Sequence, residues 1–222
     1  LFSKQGEELL DELMKKYENY FEELKIEVDK INAKFVLLYV LSDDYGVKKH
    51  GKLCRKYFNE LAGNHGVDFI DLTSEFSKYP FEIVTLLPEN GHLSRFGNIL
   101  VAEKLKEYLF YHKSFRSDHS HKNQPELLGD LKPNQNNIWT INELMPYKVK
   151  TNSQGLRMSH DLIFPKVKQR VLILGDSYTF GPYLENHNTY PGILQKKMHN
   201  MEIVNAGVAG YTIPMELELF KE

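Results

Sequence analysis

Residues 171–177 read VLILGDS, four apolar residues followed by Gly175, Asp176 and Ser177. An apolar run of that length, closed by turn formers, predicts a strand covered on both faces. The Gly-Asp-Ser ending predicts a handover to a helix, because Ser and Asp are both preferred helix caps. Parallel sheets gather reactive groups at the carboxyl ends of their strands, where loops converge and helix N-termini leave N–H groups unpaired. Ser177 at such a position is either a cap alone or a nucleophile whose own N–H faces a developing oxyanion.

Working outward, a helix is expected over 188–198, a strand over 201–207 (MEIVNAG), a small-residue loop at 207–210 and a further helix from near Pro214. Upstream, residues 34–42 (KFVLLYVLS) form a second apolar run, ended by Asp43, Asp44 and Gly46. An amphipathic helix over 7–31 precedes it, with Leu10, Leu13, Tyr17, Phe21, Leu24, Val28 and Ile31 at three- and four-residue steps. Because a strand follows at once, that stripe is expected to cover the chain's own sheet rather than a partner. A helix near 48–63, a turn at 63–66, a strand at 67–72 (VDFIDL) and a loop with Pro80 and Pro88 lead to GHLS at 91–94. Helical spacing resumes over 95–111 through Phe96, Ile99, Leu100, Ala102, Leu105 and Leu109. Strands alternating with helices predict an α/β domain with a mostly parallel sheet. Short crossovers make 171–177 with 201–207, and 34–42 with 67–72, the expected parallel neighbours.

Composition narrows the function classes. The 222 residues carry a net charge of −2, with 41% hydrophobic and 26% charged residues, so no basic footprint for nucleic acid is present. The longest apolar run is strand-sized, well short of the ~20 residues that span a bilayer. The single cysteine, Cys54, excludes an intrachain disulfide framework. The chain opens on Leu1 with no signal-peptide pattern; a lost leader is compatible with that, and cytoplasmic and exported locations both stay open.

Residues 112–135 are polar, with two prolines and His112, His119 and His121, and show no apolar period. They read as a linker, with 113–135 separating residues 1–112 from residues 136–222. The histidines lack cysteine or carboxylate at ligand spacing, so no metal is expected there. Irregular or short-strand structure is expected over 136–169, with a turn at 152–155, and no internal repeat is evident.

GDSYTFG at 175–181 and NAGVAGYT at 205–212 resemble the first two sequence blocks of the SGNH (GDSL-like) serine hydrolases, and ENGHLSRFGNILVAEKL at 89–105 resembles their last block. The resemblance implies a flavodoxin-like three-layer α/β/α sheet and a serine-dependent hydrolase of carboxylic esters, acting on acyl or O-acetyl groups of lipids or glycans, with no cofactor. It makes Ser177 the nucleophile, His92 the general base, and Ser177 and Gly210 the oxyanion donors. An imidazole must take the serine proton and must itself be held in place. Each oxyanion donor is worth roughly 3 kcal/mol of barrier.

The chain departs from that family in three ways. The orienting acid before the histidine is replaced by Glu89 and Asn90, of which only Glu89 is a carboxylate. No Gly-x-Asn-Asp block is present, and Asn205 belongs to the second block instead. The order is rotated, with the histidine half at 1–112 and the serine half at 136–222, as in a circular permutant or a piece of a tandem able to pair with a neighbouring domain or chain. The strand between these halves is expected to be missing, leaving the sheet incomplete and turnover weak. Two alternatives stay open: a catalytically weak ligand-binding or scaffold domain, and an unrelated fold whose GDSYT turn holds phosphate. The absence of GxGxxG and GxxxxGK[ST] patterns weighs against the second.

Overall fold

The apolar runs become short strands whose alternate side chains feed cores on two opposite faces. The computed structural model describes residues 4–40, 49–86, 91–112, 128–140 and 146–222. Strand β1 (Val36–Tyr39) pairs in parallel with β2 (Asp68–Asp71), placing Leu38 opposite Ile70. The second parallel pair joins the later strands of the chain, with Val171 opposite Ile203 across Gln169–Ile173 and Met201–Asn205. Between them in sequence, β3 (Asn136–Trp139) and β4 (Tyr147–Lys150) form an antiparallel ladder that sets Trp139 opposite Tyr147. The later strands are therefore β5 (Gln169–Ile173) and β6 (Met201–Asn205). The expected parallel couples are both present.

Helices cover both faces, and two one-turn helices, α3 (Thr73–Phe76) and α4 (Phe81–Val84), follow β2. Val36, Leu38, Ile70, Val171, Ile173, Met201 and Ile203 share one core with Val101, Ala102 and Leu109 of α5 (Arg95–Tyr111) and Ile193 and Leu194 of α7 (Tyr190–Lys197). On the other face Leu37 and Phe69 meet Phe21 of α1 (Lys4–Lys30) and Leu61 of α2 (Lys49–Asn64). Leu24 and Val28 of α1 pack with Leu217 of α8 (Ile213–Lys221), and Val204 and Ala206 pack with Leu219 of the same helix. The period-two alternation of the strands thus sorts residues into an α/β/α sandwich. Each fully buried Leu, Ile or Phe adds roughly 2 kcal/mol of burial free energy. The first core draws on both parallel pairs and, together with the packing of α1 on α8, unites the two halves.

Among the described residues the three ladders are separate, with no strand between the parallel pairs. The fold is therefore the expected three-layer one with an incomplete sheet. The stripe of α1 is shorter than its sequence pattern: Phe21, Leu24 and Val28 are buried, whereas Leu13 and Ile31 stay about half exposed. The helix outruns the layer it covers, and Asn32, at φ 51, turns the chain away just beyond it.

Residues 128–135, at the end of the polar stretch, are tied to the turn at 152–155. Leu128 N and Gly129 N donate to the Gln154 carbonyl, and Leu131 N donates to that of Gly155. His119 and His121 lie outside the described residues, and His112 places Nδ1 2.8 Å from the Tyr108 carbonyl. Among the described residues, no group of three or more His, Cys, Asp or Glu is placed to hold a metal. No described helix is long and apolar enough to cross a membrane.

Candidate active site

The handover after β5 is abrupt. Gly175 has φ 149, and a Cβ there would lie 2.2 Å from Thr179 Oγ1, so only glycine fits the turn. The following one-turn helix α6 (Ser177–Phe180) is capped by Asp176, whose Oδ1 accepts from Tyr178 N at 2.9 Å. The capping role of the tripeptide thereby falls to Asp176. Asp176 closes the helix, and the Ser177 hydroxyl is left to point elsewhere.

It points at His92. His92 Nε2 and Ser177 Oγ are 2.9 Å apart, although 85 positions separate them in the chain. The backbone around His92 is fixed on both sides: its carbonyl accepts from Leu86 N, Leu93 bridges to Thr85, and Ser94 N donates to the Val84 carbonyl. Ser94 then caps α5 by accepting from Gly97 N at 3.1 Å. Tyr178 Oη donates to the Gly91 carbonyl at 3.0 Å, stitching the residue after the serine to the residue before the histidine. Half-burial of the imidazole pushes its pKa below the ordinary histidine value, partly offset by the Asp176 carboxylate. At neutral pH the ring is therefore uncharged and able to accept a proton.

A buried polar chain joins the two halves behind this pair. Asn98, 1% exposed on α5, donates to the Leu93 and Ser94 carbonyls and accepts from Tyr190 N at 2.8 Å. Tyr190 Oη is 2.8 Å from Thr179 Oγ1 of α6. The histidine loop, the start of α7 and the serine helix are thus linked through side chains that the sequence reading left unassigned. Asn98 carries a legible signal, an amide amid the apolar spacing of a core helix.

The other candidate residues fare differently. Gly210 sits in an exposed, left-handed turn with φ 86 beyond β6, in a loop anchored where Val208 N donates to the Gly175 carbonyl. Asn205 is committed to the scaffold, with Nδ2 donating to the Thr179 carbonyl and Oδ1 accepting from Gly207 N. Glu89 and Asn90 lie outside the described residues.

Glu216, in the first turn of α8, is a carboxyl the sequence reading missed. Burial pushes its pKa up to about 7, with the Asp176 carboxylate adding to the shift. The folded state then holds a proton that the unfolded chain releases near the ordinary value of 4.5. Stability falls as pH rises from there through neutrality. Glu216→Gln is therefore expected to stabilise the protein above pH 8, by up to roughly 3 kcal/mol, and to change little below pH 4.5. Thermal unfolding of both proteins across that range is the check, and a gain independent of pH would refute it.

No family model matches the chain, and no curated protein matches it. Among solved structures it is similar to the O-acetyltransferase domain of Pseudomonas putida AlgJ, with a TM-score of 0.62 over 96% of this chain and 77% of that one, at 13% sequence identity. The likeness shows the fold, a three-layer α/β/α sandwich.

Proposed function

We propose that this chain handles acyl groups through a covalent intermediate on Ser177, hydrolysing carboxylic esters such as acyl or O-acetyl groups on lipids or glycans. The observation that carries the reading is the 2.9 Å approach of His92 Nε2 to Ser177 Oγ. A serine hydroxyl becomes a competent nucleophile when a neutral imidazole takes its proton. In the first half-reaction the Ser177 hydroxyl proton passes to Nε2 while Oγ adds to the ester carbonyl. The N–H groups of Ser177 and Gly210 are assigned to the resulting oxyanion. Collapse expels the alcohol, which takes the proton back from His92, and leaves an acyl-serine. In the second half His92 deprotonates the incoming hydroxyl, and Ser177 departs with that proton. Glu89 or Asn90 is assigned to orient the imidazole, with Glu89 also able to stabilise its charge. In domain terms, residues 1–112 supply the histidine half and residues 136–222 the serine half, in rotated order around the 113–135 linker.

A second reading changes only the acceptor. The fold neighbour is an O-acetyltransferase domain, which favours a sugar or other alcohol hydroxyl over water in the second half-reaction. Turnover of p-nitrophenyl acetate, with and without an added polyol, separates the two. Hydrolysis yields acetate throughout, whereas transfer diverts product to the acetylated polyol. Ser177→Ala is expected to remove at least 99% of p-nitrophenol release by either route. Release unaffected by that substitution would support the ligand-binding or scaffold reading.

A further inference from the structure

Arg157 is 2% exposed, yet no carboxylate pairs with it among the described residues. Its guanidinium is spent on main-chain oxygens beyond the serine helix. Nη1 donates to the carbonyls of Phe180 and, at 2.9 Å, of Gly181, and Nη2 donates to that of Leu184. Nε reaches Asn186 Oδ1 at 3.3 Å, and the guanidinium carbon lies 4.2 Å from the centre of the Phe180 ring. Burial lowers the pKa of the group only to about 10, so it remains a cation at neutral pH.

Such an arrangement has a cost and needs a return. A buried cation without an anion loses hydration, which only several good acceptors offset. Here two of the acceptors, the Phe180 and Gly181 carbonyls, lie at the C-terminal end of α6, where a helix leaves carbonyls unsatisfied, and the Leu184 carbonyl lies in the segment just beyond it. One turn of helix has no cooperative stability of its own, so its place is set by what grips it. Asp176 grips the front of α6 and Arg157 grips the back, three residues from Ser177.

The grip is itself braced. Arg157 N donates to the Asn205 carbonyl of β6, and Asn205 Nδ2 holds the Thr179 carbonyl in the middle of α6. The turn that presents Arg157 is organised by Asn152, whose Oδ1 accepts from both Gln154 N and Leu156 N. Gln154 in turn exchanges two hydrogen bonds with the backbone of Leu162. This buried amide framework accounts for the stretch TNSQGLR at 151–157, which in sequence shows only a turn.

We infer that Arg157 is a positioning residue for the Ser177 nucleophile: by clamping the carbonyls of Phe180, Gly181 and Leu184 it sets where α6 places Ser177 Oγ against His92. The inference rests on the reading of Ser177 as the nucleophile. The Arg157 side chain acts through the serine helix, whose carbonyls it holds. Lysine cannot replace it, because a single ammonium lacks the planar fork that reaches three carbonyls and an amide together.

The test is stopped-time labelling of the full chain with a fluorophosphonate, well below the melting temperature, reading rate constant and final stoichiometry separately. A purely structural loss lowers the final fraction labelled, since unfolded chains do not react, but leaves the rate constant of folded molecules intact. Arg157→Lys is expected to reach near-full labelling at Ser177 with a rate constant at least tenfold lower, given how steeply reactivity falls with displacement of about 1 Å. The pH midpoint of the rate is expected to stay where His92 sets it. A rate constant within twofold of the unaltered protein, with only stability or final stoichiometry reduced, would overturn the inference. Should Arg157→Lys fail to fold, Arg157→Gln is judged by the same two numbers. If the unaltered protein itself takes no label, the reading of Ser177 fails and this inference falls with it, an outcome distinct from a normal parent with an unaffected variant.

Discussion

His92→Ala is expected to lower kcat/KM for a short-chain ester by at least 10³-fold, a loss of about 4 kcal/mol in transition-state stabilisation. The effect is large because nucleophile and base act as a unit: without Nε2 at 2.9 Å, Ser177 Oγ has no acceptor for its proton as it attacks. The pH profile carries the same prediction in another form. The active species has a neutral imidazole, and burial holds the His92 pKa below 6.5. The rate is therefore expected to climb through a midpoint under 6.5 and to be level by pH 7.5. The profile is to be measured as initial rates of p-nitrophenyl acetate turnover across pH 5–9, corrected for background. A midpoint above 6.5, or a His92→Ala rate within tenfold of the parent, would contradict the assignment of His92 as base.

Asn98→Ala is expected to cost about 2–4 kcal/mol of stability, because the residue is a buried amide whose partners lie in both halves. The substitution removes three hydrogen bonds and leaves Tyr190 N–H and the Leu93 carbonyl without their partner in the shared core. An unpaired buried donor or acceptor costs about 1–3 kcal/mol, and the cavity left by the amide adds to that. Urea unfolding should show a lower midpoint at unchanged slope, as expected when the native state loses contacts and the denatured state does not change. Because Asn98 holds both the histidine loop and the start of α7, reactivity at Ser177 is expected to fall as well. A stability loss under about 0.5 kcal/mol would mean that the Asn98 hydrogen bonds contribute nothing to holding the two halves together.

The parts of this fold that could be read from sequence are those set by local pattern. The central runs of VLILGDS and KFVLLYVLS are continuously apolar, and that is visible without a structure: both faces of β1 meet helices, whereas β5 turns Val171 and Ile173 into the core and leaves Leu172 43% exposed. The parallel partners followed from the short crossovers, and the fold class followed from the alternation. The boundaries were less exact. Strand β5 ends at Ile173 rather than running into Ser177, since Gly175 already turns the chain.

The candidate site was legible as two residues and opaque as a framework. Ser177 and His92 stand in recognisable surroundings, GDSY and GHLS, and the fold brings them into contact. Arg157, Thr179 and Tyr190 gave no such signal, and Asn98 only that of an amide in a core helix, because what defines each is a partner many positions away: Phe180 for Arg157, Tyr190 for Asn98. Glu216 was equally invisible, for in sequence it is one more acid on an amphipathic helix, and only the fold buries it and brings the Asp176 charge to bear on it. Long-range polar pairing leaves no periodicity, so residues of this kind emerge from the fold alone.

Stoichiometric trapping of the nucleophile tests the central claim most directly, because it requires one chemical step and not sustained turnover. The protein is treated with a fluorophosphonate, its intact mass recorded, and the modified peptide sequenced. The Ser177–His92 assignment predicts one adduct per chain, located on Ser177, absent from Ser177→Ala and at least a hundredfold slower in His92→Ala. An unmodified protein, or an adduct on another residue that persists in Ser177→Ala, would contradict it.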